Sequence, residues 1–136
     1  RSGDNVTRLD RIEPELGEAL EGDARDTTTP NAMVKSLHVL LFGNVLSDAS
    51  KTQLKQWMMD NKVSDSLFRS VLPSNWAIAD RSGAGGYGSR GITAVVWSET
   101  RPPLIICVYV TQTKASFDER NKAIAEIGRK IFELYK

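Results

Sequence analysis

Apolar and polar positions divide the chain into three stretches. Residues 1–29 hold no sustained period and carry Asp4, Arg8, Asp10, Arg11, Glu13, Glu15, Glu18, Glu21, Asp23, Arg25 and Asp26, with Pro14, Gly17 and Gly22 between them. Interleaved acids and bases favour a loop pinned by ion pairs over a tail of one charge. A long irregular stretch within a compact protein is either disordered or functional. Residues 30–73 read as helical. Thr29 is a good N-cap and Pro30 suits the first helical position. Met33, Leu37, Leu40 and Leu41 then recur at helical spacing, and Gly43 supplies the stop. Ser47 caps a second helix, with Leu54, Trp57 and Met58 as its expected buried stripe, and a short third turn over 67–72 closes at Pro73.

Over 74–136 the period changes to two. Residues 76–79 predict a strand, 82–88 a glycine-rich turn, and 92–97 and 104–111 two further strands around Arg101-Pro102-Pro103. Strands so closely linked should form an antiparallel meander. Ser116 and Glu119 have capping-box spacing, and Phe117, Ile124, Ile127, Ile131 and Leu134 fall on one helical face that should pack on the sheet. The architecture expected is α+β, with an irregular loop, a helical segment, and strands closed by a terminal helix.

Composition narrows the function classes. With 18 basic and 17 acidic residues in 136, the net charge is +1, and the basic residues are scattered. That argues against a nucleic-acid or membrane-surface partner. No apolar run is long enough to span a bilayer. Cys107, the sole cysteine, lies in the apolar run 104–110 and reads as a small packed hydrophobe; no internal disulfide is possible. The sole histidine, His38, excludes His-based triads and His-rich metal sites within the chain, and reads as a packing or surface residue. The chain opens on Arg1 without a methionine or a hydrophobic targeting segment, which suits a processed, cleaved or partial chain.

Three places carry potential chemistry. Glu13 alone would ordinarily be a solvated charge. Arg11 and Asp26, however, stand near the two ends of its loop, and an ion pair between them would close an Ω shape and fix the carboxylate as a general base. Arg81-Ser82-Gly83-Ala84-Gly85 follows a strand. Its glycines suit a tight turn, or a strand edge along which substrate lies against backbone while Arg81 and Ser82 offer a charge and a hydroxyl to an anion. The spacing lacks the lysine and strand–turn–helix context of a nucleotide loop. Arg90 opens the next strand, either in a structural salt bridge or directed at the same anion.

Together these segments resemble the class A serine β-lactamases along nearly the whole chain. Residues 6–16 resemble the start of that family's Ω loop and 22–30 its end. Arg81-Ser82-Gly83 is similar to the Lys-Thr-Gly box with arginine in the lysine position, and Asp118-Glu119-Arg120-Asn121 resembles the start of the C-terminal helix. The resemblance implies that Glu13 activates the deacylating water and that Arg11 and Asp26 close the loop. It implies further that Arg81, Ser82, Gly83 and Arg90 form the substrate-carboxylate site, and that the backbone N–H of Ala84 supplies half of an oxyanion hole. The family's Ser-x-x-Lys and Ser-Asp-Asn boxes are absent from the 136 residues. In the family both precede the Ω loop, as do the first two strands of the sheet. The chain therefore reads as one incomplete domain lacking the nucleophilic serine.

Two departures matter. Gly17 stands where most members carry an asparagine that helps hold the deacylating water, although some members of broad or altered spectrum also have glycine. Arg81 in place of lysine is typical of carbenicillin-hydrolysing members, and spreads the charge over a planar fork. The implied partners are β-lactam antibiotics, penicillins and some cephalosporins, and the N-terminal half of the same enzyme; the implied location is periplasmic or secreted. No metal or organic cofactor is implied. Two alternatives stay open: a penicillin-binding receptor that acylates without release, against which Glu13 argues, and a non-catalytic split fragment.

Overall fold

The computed structural model describes residues 3–136. After an irregular segment come α1 (Pro30–Phe42), α2 (Asp48–Met59), a 3-10 turn (Phe68–Val71), β1 (Ala77–Ala84), β2 (Arg90–Trp97), β3 (Leu104–Val110) and α3 (Phe117–Tyr135). The strands form an antiparallel sheet in the order β1-β2-β3. The expected α+β architecture is what forms.

Alternation along the strands divides the sheet's side chains between two layers. Ile78, Ile92, Ala94, Val96 and Ile106 pack with Leu67, Phe68, Ile124 and Phe132 under α3 and the 3-10 turn. Ala79 and Val95 face Leu37 and Met58 of α1 and α2. The central strand β2 is consequently buried on both faces. Thr29 caps α1 through Ala32 N–H with Pro30 in its first turn, Ser47 caps α2, and Ser116 and Glu119 make the reciprocal box on α3. Gly43 ends α1 at φ −87°, and a Cβ there would meet Val39 O at 2.5 Å, so close backbone approach is what requires glycine.

Four expectations need correction. Trp57 is 63% exposed, while Met58 is buried and Leu54 half-buried. The contact line of α2 is the 54/58 pair, and Trp57 points about 100° away from Met58. On α3 the buried face is Asn121, Ile124, Ala125, Gly128 and Phe132, whereas Phe117, Ile127 and Leu134 are exposed. A Cβ on Gly128 would lie 2.5 Å from the Phe68 ring, so α3 approaches through a small residue that a hydrophobicity count leaves blank. The turn expected over 82–88 starts later, because β1 runs on through Ser82 and Gly83 to Ala84 and pairs Ala84 with Arg90. Cys107 is half-buried, with Sγ 3.1 Å from Thr93 Oγ1, so it is less enclosed than its apolar run implies. His38 is an exposed residue of α1 whose ring lies 5.9 Å from that of Phe42.

One buried ion pair ties the layers together. Asp80, fully enclosed on β1, accepts through Oδ1 from Arg69 Nε at 2.9 Å and Nη2 at 2.6 Å. Arg69 Nη2 also donates to the carbonyls of Met58 and Met59, which end α2. This arginine thus joins the helix end to the strand one residue before Arg81. Removing one partner of such a pair leaves an uncompensated charge in the interior. Arg69→Met should cost about 3–5 kcal/mol of unfolding free energy in urea titration; a loss below about 1 kcal/mol would show that the pair is not structural.

Candidate active site

The irregular segment is a closed loop held by one carboxylate. Asp26 Oδ1 accepts from the backbone N–H of Asp10 at 2.5 Å and of Arg11 at 3.0 Å, while Oδ2 accepts from Arg11 Nε at 2.6 Å. Asp26 N–H returns a bond to Asp10 Oδ2 at 2.9 Å, and Arg8 N–H reaches Thr27 O at 3.0 Å. The Asp26 side chain is 4% exposed and its φ is +57°, a left-handed conformation that aspartate tolerates better than most residues. Burial alone would push its carboxyl up, but Arg11 and the two N–H groups outweigh it and hold it below its ordinary value. Arg11 also reaches Glu18 at 2.6 Å across the loop. The pairing of Arg11 with Asp26 expected from the sequence therefore forms, and it closes the loop at its neck.

Inside the neck, Leu16 N–H bonds to Ile12 O at 3.0 Å, and this turn carries Glu13, whose side chain is exposed. The loop is seated on the sheet through backbone. Gly86 N–H donates to Gly17 O at 2.8 Å, and Gln112 Nε2 donates to Ala19 O at 3.1 Å. A Cβ on Gly85 would lie 2.6 Å from Gly17 O, and one on Gly86 would collide with Glu18 O. The glycines after Ala84 thus make the bed on which the Ω loop lies, a role their composition does not distinguish from a plain turn. Gly17 itself has φ +93° with open space around its missing side chain.

Beside this bed, the α3 side of the sheet carries a cation without a counterion. Arg90 is 5% exposed; its Nε donates to Asn121 Oδ1 at 2.8 Å and its Nη1 to Gly83 O at 3.1 Å, both neutral acceptors. The Phe117 ring lies 4.8 Å from its guanidinium carbon. Burial, with the nearby positive charge of Arg120, pushes the Arg90 guanidinium below its ordinary value. No carboxylate pairs with Arg90 among the described residues, so the structural salt bridge weighed from the sequence does not form there. A buried cation satisfied only by neutral groups is a ready site for an anion. Ser82 sits on the same face, opposite Ile92 in register, and accepts from Ser64 Oγ at 2.9 Å. Arg81, one residue earlier, is exposed and by alternation shares the face of Ala79. The structure therefore bonds Arg90 to Gly83 O and sets it on the same sheet face as Ser82, with Arg81 on the other side of the same strand.

Sequence reasoning passed over Asn61, Ser64, Arg69, Asp80 and Asn121. Arg69 did leave a signal, as the one charge within 67–72, and Asp80 left one as the charge that ends the apolar run 76–79. Asn121 left none beyond its place in the first turn and a half of α3.

A neck-closed loop bearing a carboxylate, laid on the edge of an antiparallel sheet with a buried arginine beside it, defines part of the serine β-lactamase fold. Residues 1–135 match the family described as the beta-lactamase enzyme family. Beta-lactamase CARB-4 of Pseudomonas aeruginosa is 60% identical over 133 residues, covering 98% of this chain and 46% of that protein. Beta-lactamase PSE-4 of the same organism is 56% identical over the same coverage. The crystal structure of the chromosome-encoded β-lactamase of Vibrio parahaemolyticus superposes with a TM-score of 0.96 at 61% identity, covering 99% of this chain and 51% of that one. An ancestral class A β-lactamase superposes at 0.95 and 48% identity, covering 97% of this chain and 51% of that one. The chain belongs to the β-lactamase enzyme family, in class A, and corresponds to the C-terminal half of its fold. It spans about half the length of the relatives it matches. No helix among the described residues is long and apolar enough to cross a membrane.

The acidic side of the neck sets its pH response. Asp10 is held at about 2 by Arg8 and the Asp26 N–H, and Asp26 lies below its ordinary value. A carboxyl depressed on folding stabilises the closed loop fully above its unfolded value, about 3.9, and loses that contribution as pH falls through the folded value. Hydrogen exchange of residues 8–27 should therefore show the neck closed at neutral pH and opening only below about pH 4. Opening between pH 5 and 7 would contradict the clamp.

Proposed function

We propose that this chain supplies the deacylation base and the carboxylate-binding strand of a class A β-lactamase that hydrolyses penicillins, and some cephalosporins, through a serine acyl-enzyme. The observation that carries the reading is Arg90, a buried cation held only by neutral acceptors on the face of Ser82, beside a clamped loop that presents Glu13. Penicillins and cephalosporins carry a carboxylate next to the reactive amide, so an anion site fixed on a strand edge sets where that amide lies. Arg90 and Ser82 take the carboxylate, and Arg81 adds positive charge along the edge. The backbone N–H of Ala84 donates to the carbonyl oxygen as it becomes an oxyanion. The serine that attacks the carbonyl and the groups that protonate the departing ring nitrogen come from the N-terminal half of the enzyme, because these 136 residues hold neither serine box. Glu13 then takes a proton from the water that adds to the acyl carbonyl, and the ester bond to the serine breaks with release of the penicilloate.

The N-terminal half is the proposed partner. Two features support it: among the described residues β3 pairs only with β2, which leaves its outer edge open, and a groove of about 750 Å3 runs between α1, residues 3–6 and the start of β3. An exposed strand edge calls for cover, and the groove beside it offers a surface on which a covering segment can sit. Relatives of this class suggest a periplasmic or secreted location. Arginine at position 81 favours a carbenicillinase-like spectrum, and glycine at 17 should impair hydrolysis of some substrates.

Glu13→Gln in the complete enzyme should acylate normally, give a burst of one equivalent with a chromogenic β-lactam, and then turn over about 100- to 10,000-fold more slowly. Intact mass would show the acyl adduct. Steady-state turnover at the parent rate would remove Glu13 from its role, and a parent that itself stays acylated would make the protein a receptor.

A further inference from the structure

Behind Ser82 the hydrogen-bond donors run in one direction, and a backbone group sets it. Val63 N–H donates to Asn61 Oδ1 at 3.2 Å. A backbone N–H can only donate, so it fixes which end of the Asn61 amide is oxygen. The other end, Nδ2, donates to Ser64 Oγ at 2.6 Å. Ser64 in turn gives its own proton to Ser82 Oγ at 2.9 Å. Ser82 Oγ is thereby an acceptor towards Ser64, and its hydroxyl proton is left to donate elsewhere on the sheet face that it shares with Arg90. Asn61 and Ser64 are 4% and 0% exposed, so solvent does not reverse the chain of donors. Without it the Ser82 hydroxyl would rotate freely and present a proton or a lone pair with little preference.

We propose that Asn61 and Ser64 are positioning residues that hold the Ser82 hydroxyl as a donor to the carboxylate of the bound β-lactam. This rests on the reading of Ser82 and Arg90 as the carboxylate site. An anion gains from donors and is repelled by lone pairs, so the polarity of this one hydroxyl affects affinity for the acid. Neither residue touches a reacting atom.

The test uses the complete enzyme and the ratio of kcat/KM for a penicillin to that for its carboxylate methyl ester. Ser64→Ala removes the donor to Ser82, and the ratio should fall about threefold to tenfold, the worth of one ordinary hydrogen bond. Asn61→Asp keeps the shape and the Val63 contact but has no donor for Ser64. Ser64 then gives its proton to the new carboxylate, Ser82 gives its proton to Ser64, and lone pairs face the substrate. That ratio should fall about tenfold or more. Repulsion through space is separated by placing Asn61→Asp in the Ser64→Ala background. The relay requires no further fall there, and a persisting fall overturns it in favour of simple charge. Poor folding lowers both substrates alike and leaves the ratio unmoved, so unchanged ratios in both single variants overturn the relay. A parent enzyme without preference for the free acid overturns the carboxylate site and the relay with it. A parent with that preference, and variants that lose it, support both.

Discussion

The Asp26 carboxylate is the constraint on which the site depends. One buried side chain takes three donors from the opposite side of the loop neck, two of them backbone N–H groups that no substitution other than proline removes. Backbone bonds fix the path of the chain, while the Arg11 bond fixes the charge balance. The loop between is short of apolar residues that could hold it by burial, and its exposed Leu9 and Ile12 contribute no core. Electrostatic closure therefore replaces hydrophobic packing here, and the clamp closes the loop that carries Glu13, thirteen residues before Asp26 in the chain. The loop then needs a surface without side chains to lie on, which Gly85 and Gly86 provide.

Buried charge recurs through the molecule with different consequences. Asp80 and Arg69 pair through Asp80 Oδ1, with Oδ2 left buried and without a partner among the described residues, and act as a structural joint between α2 and β1. Arg90 is enclosed without a carboxylate, held only by neutral acceptors, and is the proposed anion site. The difference lies in the partner: a charge already matched locks two elements together, whereas one held by an amide oxygen and a peptide carbonyl retains most of its capacity to bind an anion. Asn121 makes that possible by orienting the guanidinium without neutralising it. The inner chain from Asn61 through Ser64 to Ser82 applies the same economy to a hydroxyl.

Much of the fold was legible in the sequence because local chemistry dictated it. Caps at Thr29, Ser47 and Ser116, and the β-branched runs of β2 and β3, act over a few residues and survive the tertiary context. The buried face of α3 was not legible, since Gly128 and Asn121 are buried for reasons of close approach and hydrogen bonding that apolar counting misses. The same holds for Trp57, whose size suggests burial on a helix that buries only a narrow line. At the site, Arg11 and Asp26 could be paired from their places around the loop. The companionship of Arg90 with Ser82 and not Arg81 required strand register. The seating of the loop on residues 85–86 required knowing how two distant segments of backbone meet.

The central claim is that these residues carry half of a β-lactam site and that the nucleophile lies outside them. The direct measurement is hydrolysis of a chromogenic β-lactam by residues 1–136 alone, and by the same chain combined with a polypeptide carrying the Ser-x-x-Lys and Ser-Asp-Asn boxes. The account predicts no turnover from the chain alone and turnover once both parts are assembled. Turnover by the chain alone, at matched purity by intact mass, would contradict it, as would an assembled and folded pair that leaves the β-lactam intact.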